Sequence, residues 1–261
     1  MRQRLGDIDL VWVTLDTLRL DVAEQALAQR LTPNLAGVLP GGRWEARHTP
    51  GNFTLAAHHA FFAGFLPTPI GPHPHPRLFA CRFEGSCSIV DQTAVFDTPD
   101  VISGLASRGY HTACIGGVGF FNQRTPLGCV LPSYFAERHW SPELSVAAPR
   151  STEAQLHLAE QIAARTEGRL MLFINISAIH EPNRGYLPGC TADGPQSMAA
   201  ALAYVDQHLP RLFDAFRRRG PTFYIVCADH GTAYGEDGLW GHRLSHPTVC
   251  TVPYAEFLLE G

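Results

Sequence analysis

The chain predicts an α/β fold, a three-layer sandwich whose mostly parallel or mixed sheet is covered by helices on both faces. Three observations carry this. Apolar, β-branched runs alternate with helical stretches, which is the βαβ signature. The runs are apolar along their whole length, as in strands buried on both faces. With 261 residues and 45% hydrophobic content, the chain can bury one large core, so residues 1–261 are expected to form a single domain.

In chain order, Leu10–Leu15 reads as a first buried strand, His111–Ile115 as a second, Leu170–Ile176 as a third and Thr222–Cys227 as a fourth. Helices are predicted at Asp21–Gln29, Leu55–Gly64, Asp97–Arg108, Thr152–Arg165 and Gln196–Arg219. The last places Leu202, Val205, Leu209, Leu212 and Phe213 on one face. Pro210, inside it, is expected to kink it. Pro67–Pro76, with its Pro, Gly and His residues, reads as a loop near a site's rim, with His73 and His75 facing solvent. Gln123–Arg150 and Glu181–Pro195 read as further loops shaping a pocket.

The formal charge is -4 with a pI near 6.3. No basic field holds a nucleic-acid backbone or an anionic membrane surface, so neither is an expected partner. Every fixed cation is an arginine, a residue suited to planar contacts with oxyanions. The start of the chain is charged, and the apolar run after it is too short for a secretion signal. The seven cysteines form no CxxC pair. Reduced thiols and a cytoplasmic location are the expectation.

Asp16 follows directly on the first strand in VWVTLDTLR, at the carboxyl edge where open α/β sheets place ligands. A loop or capping aspartate is the bland alternative. FYIVCADHG repeats the arrangement with Asp229 and His230, two ligating types side by side, although such pairs also arise in ordinary turns. Thr54 precedes an apolar stretch and is expected to cap a helix, where backbone amides and the helix dipole favour a bound oxyanion. A threonine hydroxyl needs a base or a metal to act as a nucleophile. Asp16, Asp229 and His230 are expected to supply that metal site, with Thr54 as a fourth ligand.

Four stretches, in the right order, resemble the sulfatase-like branch of the alkaline phosphatase superfamily. They are VTLDTLRLDVA with the following Leu31-Thr-Pro-Asn-Leu35; Thr54-Leu-Ala-Ala-His58 with Phe-Phe-Ala-Gly-Phe-Leu-Pro; Phe173 through His180-Glu-Pro182; and Ala228-Asp229-His230-Gly231 with Gly235 through Gly241-His242. The resemblance spans nearly the whole chain, and its last block is the most specific. It implies an alkaline phosphatase-like catalytic domain without the C-terminal sulfatase subdomain, its pocket open to a homo-oligomer or to an operon-encoded partner protein.

Departures from the pattern narrow the chemistry. Position 54 is Thr where sulfatases oxidise a Cys or Ser to formylglycine, and His58 stands where their signature has arginine. Gly116-Gly117-Val118-Gly119 replaces the usual Gly-Lys-x-His, removing further anion contacts. What remains is similar to phosphoryl-transferring relatives of the lipoteichoic acid synthase and phosphoethanolamine transferase type. No second-metal pair is present, since Ile176 stands four residues before His180. The resemblance therefore implies one divalent ion, Mn²⁺, Zn²⁺ or Mg²⁺, with Ca²⁺ disfavoured by the imidazole.

The expected activity is that of a hydrolase or transferase acting on a phosphate mono- or diester, or a phosphonate, through a phosphothreonine. The alternatives are a sulfuric ester hydrolase working without formylglycine, with a sulfated substrate, and a non-catalytic binder of phosphorylated ligands. His180 and His242 are expected to hold phosphoryl oxygens or protonate the leaving group. His58 and Asn52 are candidate substrate contacts. Arg19, paired with Asp21, and His246 are candidates for a supporting shell around the metal. For the histidines, ordinary loop or packing roles are the competing reading.

Overall fold

The computed structural model describes residues 5–63 and 100–261. The elements run β1 (Asp9–Leu15), α1 (Leu20–Ala28), α2 (Pro33–Val38), β2 (Glu45–His48), α3 (Thr54–Ala63), α4 (Val101–Ala106), β3 (Tyr110–Ile115), α5 (Pro126–Val130), β4 (Glu137–His139), α6 (Ser151–Arg165), β5 (Arg169–Ile176), α7 (Pro195–Arg217), β6 (Thr222–Cys227), β7 (Ala233–Tyr234), β8 (Trp240–Gly241), α8 (Pro247–Cys250) and β9 (Thr251–Leu259). The Pro-rich stretch at 67–76, with its two histidines, residue 64 of the second expected helix and residues 97–99 of the third lie outside the described residues.

Seven strands form one mixed sheet in the order β2-β9-β6-β1-β5-β3-β4. The inner strands β6, β1, β5 and β3 are parallel, with β4 parallel at one edge. At the other edge β9 runs antiparallel to β6, and β2 antiparallel to β9. The four strands expected from continuous apolar runs are the inner four. The sequence reading missed β2 and β4, which are short and charged, and β9, whose Pro253 and Glu256 break the apolar pattern.

Side chains of a strand alternate between faces, and β1 separates its residues accordingly. Val11, Val13 and Leu15 join the core packed under α1, α6 and α7, with Val22, Leu156 and Leu202 among its members. Leu10 joins the opposite core with Phe62 of α3 and Ile102 of α4, where Trp12 packs edge-on to Phe62 and Phe173. Helices therefore cover both faces, as the composition of the strands requires.

α7 continues through Pro210 rather than ending there. Pro210 has no N–H for the carbonyl of Asp206, four residues earlier. That carbonyl instead accepts Asn34 Nδ2 at 3.0 Å. The Asp206 carboxylate in turn accepts the backbone N–H groups of Asn34 (3.1 Å) and Leu35 (2.7 Å), capping α2 from outside, since Thr32 makes no capping bond of its own. This is what the Thr-Pro-Asn-Leu segment does in the fold: it docks α2 onto the flaw in α7.

Candidate metal centre and active site

The parallel register of β1 and β6 pairs Thr14 with Cys227, so two residues further on Asp16 and Asp229 come to stand side by side beyond the strand ends. Both are fully buried, as is His230. One ligand atom from each of Asp16, Asp229 and His230 lies within 4.8 Å of the others. Among the described residues this is the group of acids and imidazoles arranged to hold an ion.

Each member is fixed by its neighbours. Asn175, on β5 next to β1, donates Nδ2 to Asp16 Oδ2 at 2.9 Å, and Thr17 donates its hydroxyl to Asp16 Oδ1 at 3.2 Å. The Thr17 and His230 backbone N–H groups donate to Asp229 Oδ1 at 3.1 and 3.0 Å. Thr17 adopts the left-handed region, φ 64°, to aim its N–H there. His230 Nδ1 lies 2.8 Å from the carbonyl of Gly231, which fixes Nδ1 as the protonated nitrogen and leaves the Nε2 lone pair for a ligand.

Asp229 Oδ2 is the exception. It is buried and accepts no hydrogen bond. His58 Nδ1 is 3.7 Å away, but its hydrogen goes to the carbonyl of Thr54 at 2.7 Å. A buried carboxylate oxygen without a donor is costly unless a cation completes it. The distances agree with that: His230 Nε2 lies 3.5 Å from Asp229 Oδ2 and 3.4 Å from Thr54 Oγ1. Bonds of ~2.0–2.2 Å at tetrahedral angles place ligand atoms roughly 3.3–3.6 Å apart, so these residues fit a four-coordinate ion.

The electrostatics say the same. Burial above all, and then the neighbouring Asp229 charge, push the Asp16 carboxyl above its ordinary range. Burial pushes Asp229 up to about 6. Burial also lowers His230, which keeps its imidazole neutral. Two carboxyls reluctant to ionise beside a neutral imidazole form a set that a divalent cation would charge and bind.

Thr54 is the first residue of α3, and Phe53 takes the cap position, its carbonyl accepting Ala57 N–H at 3.1 Å. The expected capping role of Thr54 is thus not its own. Its hydroxyl is free to face His230 and a cavity of about 410 Å³ that His180 and His242 also line. The His180 and His242 rings are 6.2 Å apart, and His242 lies 4.7 Å from His230, centroid to centroid. His180 Nδ1 is held by the carbonyl of Glu181 at 2.5 Å. Burial, then the nearby His230 and His180, lower His242 to about 4, so its ring is neutral near pH 7.

Three expected site residues are placed elsewhere. His58 is not a substrate contact: it is completely buried beneath α3, its Nε2 facing Thr14 Oγ1 at 3.2 Å and its ring packed against Phe61, Phe121 and Phe173. Burial drives it down to about 3, a neutral strut between α3 and β1. His246 makes its hydrogen bonds to Thr248 at the start of α8 and to Asp237, not to the triad. Asn52 touches the site only through its carbonyl, which accepts the Arg243 N–H at 2.8 Å. Arg19 is fixed as expected by Asp21, at 2.9 and 2.6 Å, and additionally by Glu236 at 2.5 Å.

Sequence reasoning missed Asn175 and Arg243. Asn175 had a signal: a lone amide inside the apolar run Leu-Met-Leu-Phe-Ile-Asn-Ile needs a partner. Arg243, which lines the cavity, follows the recognisable Gly241-His242 and carries no spacing signal of its own.

The solved structures now place the fold. The C-terminal periplasmic domain of phosphoethanolamine transferase EptC from Campylobacter jejuni matches with a TM-score of 0.63 at 13% identity, over 96% of this chain and 79% of that one. The corresponding EcEptC domain from Escherichia coli, in complex with Zn, matches at 0.65 and 12%, over 96% and 72%. A protein in the alkaline phosphatase superfamily from Vibrio parahaemolyticus matches at 0.56 and 15%, over 96% of this chain and 60% of that one. The chain has the fold that these structures share, one of them a protein in the alkaline phosphatase superfamily. No family model matches the sequence, and no curated protein does. Asp16, Thr54, His180 and the Asp229–His230 pair, one contribution from each of the four stretches of the sequence resemblance, gather around the same cavity and triad.

Proposed function

We propose that the chain is a phosphoryl-transfer enzyme that attacks a phosphate mono- or diester, or a phosphonate, with Thr54 Oγ. The observation that carries the reading is the hydroxyl of Thr54 at 3.4 Å from His230 Nε2, beside the uncompensated Asp229 Oδ2 and open to the cavity. Asp16, Asp229, His230 and Thr54 would hold one divalent ion, Zn²⁺ or Mn²⁺ by their mixed O and N donors, and Zn²⁺ is the ion of the EcEptC neighbour. Bound there, the ion supplies Lewis-acid polarisation of the phosphoryl group and a lowered pKa for the hydroxyl.

The chain's own groups do the rest. Thr54 Oγ forms a bond to phosphorus, its proton leaving to solvent, while the ester P–O bond breaks and His180 protonates the departing oxygen. Neutral His242 donates a hydrogen bond to a non-bridging oxygen. In the second half an incoming water or alcohol gives its proton to His180, attacks the phosphothreonine, and Thr54 Oγ regains a proton from solvent. Asn175 keeps Asp16 in place throughout, and His58 fixes the first turn of α3 through the Thr54 carbonyl.

The cytoplasmic location belongs to the same proposal, supported by five free cysteines among the described residues. No helix there is long and apolar enough to cross a membrane. The test of the activity is a panel of aryl phosphate mono- and diesters and aryl sulfates, with mass spectrometry of the protein quenched during turnover. Phosphate added to the peptide carrying Thr54, and turnover lost in Thr54→Ala, are expected. Undiminished turnover by Thr54→Ala rejects the nucleophile.

A further inference from the structure

The cavity at Thr54 has two kinds of lining. Val118, Phe120, Leu127 and Val146 are apolar. His180, His242 and Arg243 also line it, and among the described residues no carboxylate does. Arg243 sits in the left-handed region, φ 70°, a conformation that costs an arginine about 1 kcal/mol or more. Two contacts hold it: its N–H bonds the carbonyl of Asn52 at 2.8 Å, and its guanidinium lies over the ring of Phe53 at 5.6 Å. The Phe53 ring is 6.2 Å from Phe120, so the support of the cation continues directly into the apolar wall. Among the described residues the guanidinium meets no acid.

We infer that this cavity selects a phosphate ester carrying one aromatic or branched apolar substituent, with Arg243 binding a non-bridging oxygen and the Val118–Phe120–Leu127–Val146 wall taking the substituent. The inference rests on the phosphoryl-transfer reading of the site and deepens it to a substrate class. A guanidinium that meets no acid among the described residues, seated against the Phe53 ring, supplies the planar cation that an oxyanion requires. It also discriminates. An amino-alcohol phosphate such as phosphoethanolamine would bring an ammonium to a pocket that no carboxylate lines among the described residues and where an arginine is already present. Like charge and lost hydration both oppose it. The volume, about 410 Å³, suits one ring or a short branched group, near the small end of ligand pockets.

Arg243 also explains why the lysine of the sulfatase pattern can be absent. A Cβ on Gly117 would stand 2.4 Å from the Asn175 carbonyl oxygen and 2.6 Å from Ser177 Cβ. A side chain at that position would run into the end of β5, and the cation lining the cavity is Arg243 instead.

The test is calorimetric binding of phenylphosphonate and 2-aminoethylphosphonate to the metal-loaded protein, with release of nitrophenol from aryl phosphodiesters measured on the same samples. Phenylphosphonate is expected to bind at least tenfold more tightly. Arg243→Gln should weaken it at least fivefold with its melting temperature unchanged, and Arg243→Lys should recover part of the loss. Val146→Glu, which adds a carboxylate to the wall, should shift preference toward 2-aminoethylphosphonate and gives a second route if Arg243→Gln folds poorly. Equal or tighter binding of 2-aminoethylphosphonate by the unaltered protein, or indifference to both variants, overturns the inference. Turnover without Thr54 dependence, or none, rejects the phosphothreonine reading and leaves the binding comparison to decide the pocket on its own.

Discussion

Asn34 supplies to the carbonyl of Asp206 the hydrogen bond that Pro210 cannot, so one side chain repairs a helix 172 residues further along the chain. Asn34→Ala should lower stability by about 1–2 kcal/mol, because the Asp206 carbonyl and carboxylate both lose a donor. Pro210→Ala gives the carbonyl its own helical N–H, so the cost of Asn34→Ala should be smaller in that background. Equilibrium unfolding of the four proteins in the cycle measures the coupling, and strict additivity would disprove it.

The Asp229 carboxyl should contribute a loss of stability to the metal-free protein as pH rises from about 4 to about 6. Asp229 has its folded-state carboxyl raised to about 6 from an ordinary 3.8, mainly by burial, so over that window the folded state holds more protons than the unfolded one. His230, His58, His59 and His242, all lowered by burial, contribute with the opposite sign, and Asp16, raised by burial, with the same sign, which makes the difference between the unaltered protein and Asp229→Asn the useful quantity. Melts with chelator should show the unaltered protein losing stability relative to Asp229→Asn across that window. Added Zn²⁺ or Mn²⁺ should raise the melting temperature at about pH 7.5 far more than at about pH 4.5, as expected where an ion displaces protons. Equal stabilisation at both, or in Asp229→Asn, contradicts the ligand assignment.

Glu137 should carry an acid-side dependence unrelated to catalysis. Burial pushes it upward, but Arg165, His139 and His111 together outweigh this and hold it down to about 2. Its contribution is complete above about 4.5, the ordinary value, and is lost as pH falls toward 2. Glu137→Gln should therefore flatten the acid limb of a stability profile while leaving turnover unchanged. An unaltered limb would show that the cluster at β3 and β4 has no net effect.

Gly117→Lys should not restore an anion contact. The Cβ meets the backbone of β5 beside Asn175, the residue that positions Asp16, so overpacking costs about 1–3 kcal/mol and bound metal falls with it. Elemental analysis after dialysis, with a melt of the same sample, checks both. A stable variant retaining full metal would show that the strand end yields more easily than its packing indicates.

The inner sheet was legible because strands buried on both faces are written as uninterrupted apolar runs, and Asp16 and Asp229–His230 were legible because each ends such a run. Edge strands carry no such mark: β2 reads Glu-Ala-Arg-His, all exposed, and exists through its pairing with β9. His58 was misread because sequence position cannot distinguish the side of α3 that faces the cavity from the side that faces the aromatic core. Arg243 depends on a backbone turn and a stacking ring, neither of which has a spacing.

The pairing of Asp16 with Asp229 across neighbouring strands also orders events in time. The N–H of Thr17 and the carboxylate it anchors are separated by 212 residues, so a nascent chain still on the ribosome offers only the first carboxylate of the triad until the segment carrying Asp229 and His230 has been made. An ion captured there would fasten together two segments made far apart in time, and only after the second had left the ribosome.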